Sequence, residues 1–170
     1  MRLRLHPDCR CAAVSAIDVA WSRPQPTRLL LDYAVHGAIG GLSLPPARSS
    51  GRSEDDLWRH TCLEALVAAR GGYYEFNFAP SGRWAAYRFD GYRLGKRLVP
   101  AAPKLDLQAD ETCLRLRVEL DFPDDATGRL GLAAVIEEAD GRLSYWALRH
   151  PPGKPDFHHA DCFALELPGA

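Results

Sequence analysis

The sequence predicts an all-β fold: one antiparallel β-sandwich, jelly-roll-like, with at most short helical turns. Three observations lead there. Pro and Gly (13 and 14 residues) interrupt the chain at short intervals, which suits short strands. Between them, apolar and polar residues alternate with period two in several segments. Finally, 170 residues with 46% hydrophobic content supply one ordinary core but not several, so one domain is expected over residues 1–170, its core at about 10–168.

Taken in order, Cys11–Trp21 and Thr27–Val35 read as strands joined by the five-residue loop Ser22-Arg-Pro-Gln-Pro26. Leu44–Ser53 is polar and rich in Pro and Ser, and is expected as a surface excursion. The next segment is ambiguous. Ser53-Glu-Asp-Asp56 resembles a capped helix start and Leu57–Arg70 is rich in Leu and Ala, so propensity favours a helix. The alternation of Leu63, Ala65 and Val67 against Cys62, Glu64 and Leu66 equally permits a strand.

From Gly72 the pattern sharpens. Tyr74, Phe76 and Phe78 share one face, with Tyr73, Glu75 and Asn77 on the other. Pro80-Ser-Gly82 turns the chain into Arg83–Phe89, where Ala85, Tyr87 and Phe89 alternate with Trp84, Ala86 and Arg88. Leu114, Leu116, Val118 and Leu120 alternate with Arg115, Arg117 and Glu119, the signature of a half-buried antiparallel strand. Arg129–Glu138 and Leu143–Arg149 flank Ala139-Asp-Gly-Arg142, a hairpin signal, and Cys162–Leu167 is the last predicted strand.

Composition narrows the functional classes. The 21 basic and 22 acidic residues nearly cancel, so no field steers the chain toward nucleic acid. Apolar runs stop at five or six residues, too short to span a membrane, and the N-terminus carries no apolar leader, so a cytoplasmic location is expected. Five scattered cysteines fit a reducing compartment. No nucleophile elbow, phosphate loop, dinucleotide fingerprint or zinc-protease motif is present, and adjacent Glu137 and Glu138 face opposite sides of a strand, so no enzyme is expected.

Two blocks carry a family resemblance. Asp56-Leu-Trp-Arg-His-Thr-Cys-Leu-Glu-Ala-Leu-Val67 followed by Tyr73-Tyr-Glu-Phe-Asn-Phe-Ala-Pro-Ser-Gly-Arg-Trp84 resembles the core of DOMON-like β-sandwiches related to family-nine carbohydrate-binding modules. The stretch from Tyr145 through His158-His159-Ala-Asp-Cys-Phe163 is similar to the small bacterial branch of that group. The resemblance implies a non-catalytic module for a small ligand, a sugar or, in some relatives, a haem. It also implies a strand at Thr61–Ala68 after a short turn around Asp55–Trp58. Trp58 and Glu64 match the relatives' pattern, whereas Thr61 stands where they carry an acid.

A sugar offers flat C–H faces and a rim of hydroxyls, met by aromatic rings and by planar polar side chains. The candidate ligand-binding residues are therefore Trp58, Trp84 and Trp146 as platforms, with Glu64, Asn77, Arg88 and Arg149 for the hydroxyls. The alternative is a structural or interaction domain that meets a protein partner through open sheet edges. Haem is disfavoured because the sole Met is Met1 and no Cys-x-x-Cys-His motif occurs. Two clusters, His158-His159-Ala-Asp161-Cys162 and His6-x-x-Cys9-x-Cys11, hold metal-ligand types, but neighbouring strand residues point apart; no cofactor or metal is expected.

Overall fold

The computed structural model describes residues 1–45, 56–126 and 128–167. Among them lie twelve strands and no α-helix: β1 (Arg2–Leu5), β2 (Val14–Gln25), β3 (Arg28–Gly37), β4 (Cys62–Ala69), β5 (Gly72–Phe78), β6 (Trp84–Phe89), β7 (Arg97–Leu98), β8 (Lys104–Ala109), β9 (Cys113–Asp121), β10 (Arg129–Glu137), β11 (Leu143–Ala147) and β12 (Leu165–Glu166). All pairings are antiparallel, in the path β7-β6-β5-β4-β10-β11-β1-β2-β3-β9-β8. The sheet is curled into a half-barrel.

Strand β1 makes the corner. Arg2 and Leu3 pair with Asp18 and Ile17 of β2, while Arg4 and Leu5 pair with Ala147 and Trp146 of β11. The main core fills the space between the two halves. Ile17, Leu31, Tyr33, Leu116 and Leu120 come from one side, and Leu63, Ala65, Phe76, Phe78 and Leu132 from the other. Tyr33 is fully buried and its hydroxyl donates to the Glu64 carbonyl at 2.7 Å, tying β3 to β4 across that core.

The outer faces of the halves differ. On β3 and β9 the outward residues are charged, and Arg115 and Asp32 pair at 2.6 Å in a wet, alternating surface. On β4, β5, β6 and β10 nearly every residue is buried on both faces. A second apolar cluster there holds Cys62, Leu66, Tyr73, Tyr87, Phe89 and Val135, and Phe157 and Phe163 of the segment after β11 cover it. Apolar residues at successive positions of β4 and β10 are what a strand buried on both faces requires.

Several expectations change in detail. The ambiguous segment is a 3-10 turn at Leu57–Arg59 followed by strand β4, so the local preference for a helix gives way to burial of both strand faces. The loop expected at Ser22–Pro26 is mostly strand: β2 runs to Gln25, and a bulge between Ser22 and Gln25 takes up Arg23 and Pro24. Proline is tolerated there because the N-terminal segment pairs with β2 only as far as Val19, leaving that side of β2 without a neighbour at Pro24. The last strand shrinks from Cys162–Leu167 to Leu165–Glu166, since Ala160–Cys162 forms a 3-10 turn. That short β12 pairs with Arg129 and Leu130 of β10, beyond the end of β11. Of the Leu44–Ser53 excursion, residues 46–53 lie outside the described residues, as do 53–55 of the capping motif.

Candidate functional site

The doubly buried half carries a cavity of about 540 Å³ on the face away from the main core. Its floor is sheet: Glu64 from β4, Glu75 from β5, Val135 from β10 and Tyr145 from β11. Register puts them there. Glu64 lies opposite Asn77, Leu66 opposite Glu75, and Val135 opposite both Cys62 and Tyr145, all on one face. The walls come from two connections. Arg93 and Lys96 stand on the β6–β7 loop, and Lys154, Pro155, Phe157 and His158 on the segment after β11. Trp58, on its 3-10 turn, stands at the rim with 43% of its surface exposed, and Phe89 completes the aromatic lining.

Asp156 fastens the two connections together. Its carboxylate accepts from Tyr92 Oη at 2.6 Å, from Arg93 Nη2 at 2.8 Å and from the His158 backbone N–H at 3.1 Å. Burial works against its charge, but the hydrogen bonds from Tyr92 and Arg93 prevail and hold the carboxyl below its ordinary range.

His158 is oriented by a short relay. The Arg93 backbone N–H donates to Tyr73 Oη at 3.2 Å, so the Tyr73 hydroxyl proton is directed to His158 Nδ1 at 2.7 Å. The ring proton is thereby assigned to Nε2, which faces Glu75 Oε2 across 3.7 Å. Burial first, then the Arg93 charge, lower the His158 pKa to about 4, so the ring is neutral near pH 7. Glu64 moves the other way. Burial, then repulsion from Glu75, push its carboxyl well above the ordinary range, with Arg93 pulling back.

The cavity thus presents aromatic faces, a neutral imidazole, two carboxyl groups and three cationic side chains. Of the residues singled out from the sequence, Trp58 and Glu64 line it. Asn77 sits just behind, fully buried, donating from Nδ2 to Glu75 Oε1 at 2.6 Å. The remaining four are not brought to it. Trp146 is 5% exposed in the main core, donating to Ser144 Oγ at 3.0 Å, and its neighbour Tyr145 faces the cavity instead. Trp84 pairs with Phe78 and packs against the main core. Arg88, opposite Tyr74, is buried with its guanidinium 5.0 Å from that ring and donates to the carbonyls of Arg70 and Phe89. Arg149 is exposed, and its carbonyl accepts from Cys162 Sγ at 3.1 Å. A one-residue phase decides each strand case, because it exchanges the two faces of a sheet.

The residues considered for other chemistry have local partners. Glu137 takes His60 Nδ1 at 2.7 Å, whereas Glu138 Oε1 accepts from the Ala12 and Ala13 amides at 2.9 and 2.8 Å. Cys62 is buried, and burial raises its pKa well above the ordinary thiol value, the opposite of an activated thiolate. His159 Nδ1 accepts from the Asp161 amide, and the five cysteines form no disulfide. Among the described residues no three His, Cys, Asp or Glu side chains gather as a metal-binding group, and no helix is long and apolar enough to cross a membrane.

No known family model matches the chain, and no curated protein matches it. Among solved structures, the chain is similar to a "putative carbohydrate-binding protein" from Bacteroides uniformis, with a TM-score of 0.59 and 14% identity, over 86% of this chain and 75% of that one. At that identity the likeness is one of fold.

Proposed function

We propose that the protein is a non-catalytic binding module for a small carbohydrate, which it holds in the cavity on the second face of β4, β5, β10 and β11. One observation carries this: a cavity of about 540 Å³ in which aromatic rings stand beside buried hydrogen-bonding side chains. That combination suits a ligand with apolar C–H faces and a rim of hydroxyls. Trp58 at the rim and Tyr145 and Phe157 within supply ring faces. Glu64 and Glu75 accept from hydroxyls, Asn77 orients Glu75, and His158 Nε2–H and Arg93 donate. The likeness to the Bacteroides uniformis protein, itself named for carbohydrate binding, supports the reading. We extend the proposal to the fold: the half-barrel is a two-layer sandwich of DOMON-like type, related to family-nine carbohydrate-binding modules.

The test is calorimetric titration of the full chain with neutral, amino and acidic monosaccharides and short oligosaccharides, with Trp58→Ala as the control. Binding weakened at least tenfold by that substitution supports the proposal. Uniformly flat heats remove it and favour an interaction domain working through the outermost strands β7 and β8.

A further inference from the structure

Resting on the carbohydrate reading above, we propose that the cavity selects a sugar bearing an acetamido group, whose carbonyl oxygen accepts a hydrogen bond from the carboxylic acid O–H of Glu64. The argument starts from register. On the cavity's face Glu64 stands opposite Asn77 of β5 on one side and opposite Ala133 of β10 on the other. Glu75 lies two residues before Asn77, and Val135 two after Ala133, so both share that face. Glu64 therefore has hydrogen-bonding side chains on its β5 flank and apolar ones on its β10 flank.

Glu64 is 4% exposed and lines the cavity, and among the described residues its carboxyl has no hydrogen-bond or ion-pair partner. Its β5 flank does not favour a negative charge. Asn77 is fully buried; its Nδ2 donates to Glu75 Oε1 at 2.6 Å and its Oδ1 is buried without a partner, so it adds an unfilled acceptor. Glu75 is a second acid, with partners of its own, Asn77 Nδ2 among them. A carboxyl so placed keeps its proton, the direction in which burial and then Glu75 drive it against the pull of Arg93. Neutral Glu64 keeps one oxygen as an acceptor for a hydroxyl and adds an O–H donor aimed at the ligand.

An acetamido group answers this arrangement part by part. Its carbonyl oxygen accepts from Glu64, its N–H donates toward the acceptors of the β5 flank, and its methyl lies over the apolar β10 flank at Val135. A protonated amine offers the Glu64 O–H no acceptor, a carboxylate brings a negative charge beside an acid, and a plain hydroxyl has no apolar end.

Other titratable and charged groups surround the same space. Cys62 on β4 and Tyr145 on β11 are neutral near pH 7, their pKa values raised by burial, and His158 is neutral there as well. Arg93 is bonded to Asp156 at 2.8 Å, Lys96 Nζ lies 4.0 Å from the centre of the Tyr87 ring, and Lys154 is exposed on the covering segment. Comparison with Glu64→Gln subtracts whatever these groups contribute to a pH profile.

The experiment titrates the full chain at pH 6 with N-acetylglucosamine, N-acetylgalactosamine and N-acetylmannosamine, each beside its parent hexose and its free amine. At least one N-acetyl sugar is expected to bind tenfold or more tightly than both partners. Glu64→Gln, whose amide N–H replaces the O–H, keeps that affinity within threefold, whereas Glu64→Leu loses at least tenfold. In wild type the affinity falls at least fivefold from pH 6 to pH 9 as Glu64 ionises, and buffers of different ionisation heat show proton uptake on binding that grows over the same range; Glu64→Gln shows neither. The wild-type uptake needs no variant, so it stands if the substitutions impair folding. Equal affinity for hexose and N-acetyl sugar, preference for the amine, tenfold weakening in Glu64→Gln, or N-acetyl sugar binding with proton release or with no uptake up to pH 9 overturns the inference and leaves the carbohydrate reading standing. Silence with every sugar removes the carbohydrate reading and this inference with it.

Discussion

Replacing His158 by glutamine is expected to flatten the acid side of the stability profile. The ring is 15% exposed, held between the Tyr73 hydroxyl at 2.7 Å and Glu75 at 3.7 Å, and its pKa of about 4 lies well below the ordinary 6.5. Above pH 6.5 the imidazole is neutral both folded and unfolded, and it contributes no pH dependence. Between 6.5 and about 4 the unfolded chain takes up a proton that the folded chain refuses, so stability falls by up to about 1.4 kcal/mol per pH unit. Below about 4 both states are charged and the loss levels off at roughly 3 kcal/mol. Glu64 has the opposite sign: its raised pKa gives stability at low pH that disappears as pH rises through the folded value. That contribution is common to both chains and cancels in their difference. Urea unfolding of wild type and His158→Gln at pH 7, 6, 5 and 4.5 measures it. The stability advantage of wild type is expected to shrink by about 2 kcal/mol from pH 7 to 4.5. Parallel profiles, with a difference constant within about 0.5 kcal/mol, would show that the ring titrates as it does in water and that its burial carries no energy.

The other predictions separate the cavity from the scaffold. Trp58→Ala should change stability by no more than about 0.5 kcal/mol in urea, because the ring is 43% exposed, while weakening sugar binding at least tenfold by calorimetry. Trp146→Ala should cost about 3–5 kcal/mol in the same unfolding assay, since it empties a buried aromatic site in the main core. Gly72→Ala should cost at least about 2 kcal/mol, because Gly72 has φ +150° and a Cβ there would overlap the Phe89 carbonyl oxygen on β6. Asp156→Ala removes the shared acceptor of Tyr92, Arg93 and the His158 amide; exchange of that amide should quicken by roughly tenfold, while the β10 amides keep their protection.

The sequence made the strands legible wherever period two was unbroken. The outward Arg115, Arg117 and Glu119 against the inward Leu114, Leu116 and Val118 of β9 were readable because that half has one wet face. The Asp140-Gly141 hairpin was readable because Gly141 takes φ +83°, which a side chain resists. The opposition of Tyr74, Phe76 and Phe78 to Glu75 and Asn77 was readable too, and it marks the side on which the cavity lies. What alternation could not give is the relation between strands. Trp84 and Arg88 are correctly set against Tyr87 and Phe89 within β6, but only the pairing of Glu75 with Tyr87 shows which set shares the cavity's face. Trp146 misleads for the same reason, since the larger ring takes the core and the smaller Tyr145 the cavity. Arg93, Lys96 and Lys154 lie on connections with no periodicity to read, and Arg93 acquires its place through Asp156, which also binds Tyr92.

Burial gives an independent route to the same cavity. Among the described residues the buried polar side chains are few, and most of them serve their own surroundings. Thr61 Oγ1 accepts from the Glu137 amide, Glu138 caps two amides of the segment before β2, Arg88 donates to the Arg70 carbonyl in the β4–β5 turn and to the Phe89 carbonyl at the end of β6, and Ser144 accepts from Trp146. Glu64, Glu75 and Asn77 are different, since they are adjacent, they share one face, and two of them can carry like charge. A strand pair buried on both faces gains most from apolar side chains at such positions, as Leu66 and Ala85 show next to them. Acids placed there work against folding, and beside them Asn77 Oδ1 is buried without a hydrogen-bond partner. The cost is understandable if these side chains are set for a molecule that enters the cavity. It then follows that Glu64→Leu should raise stability while abolishing binding, a separation that a purely structural role for Glu64 would not produce.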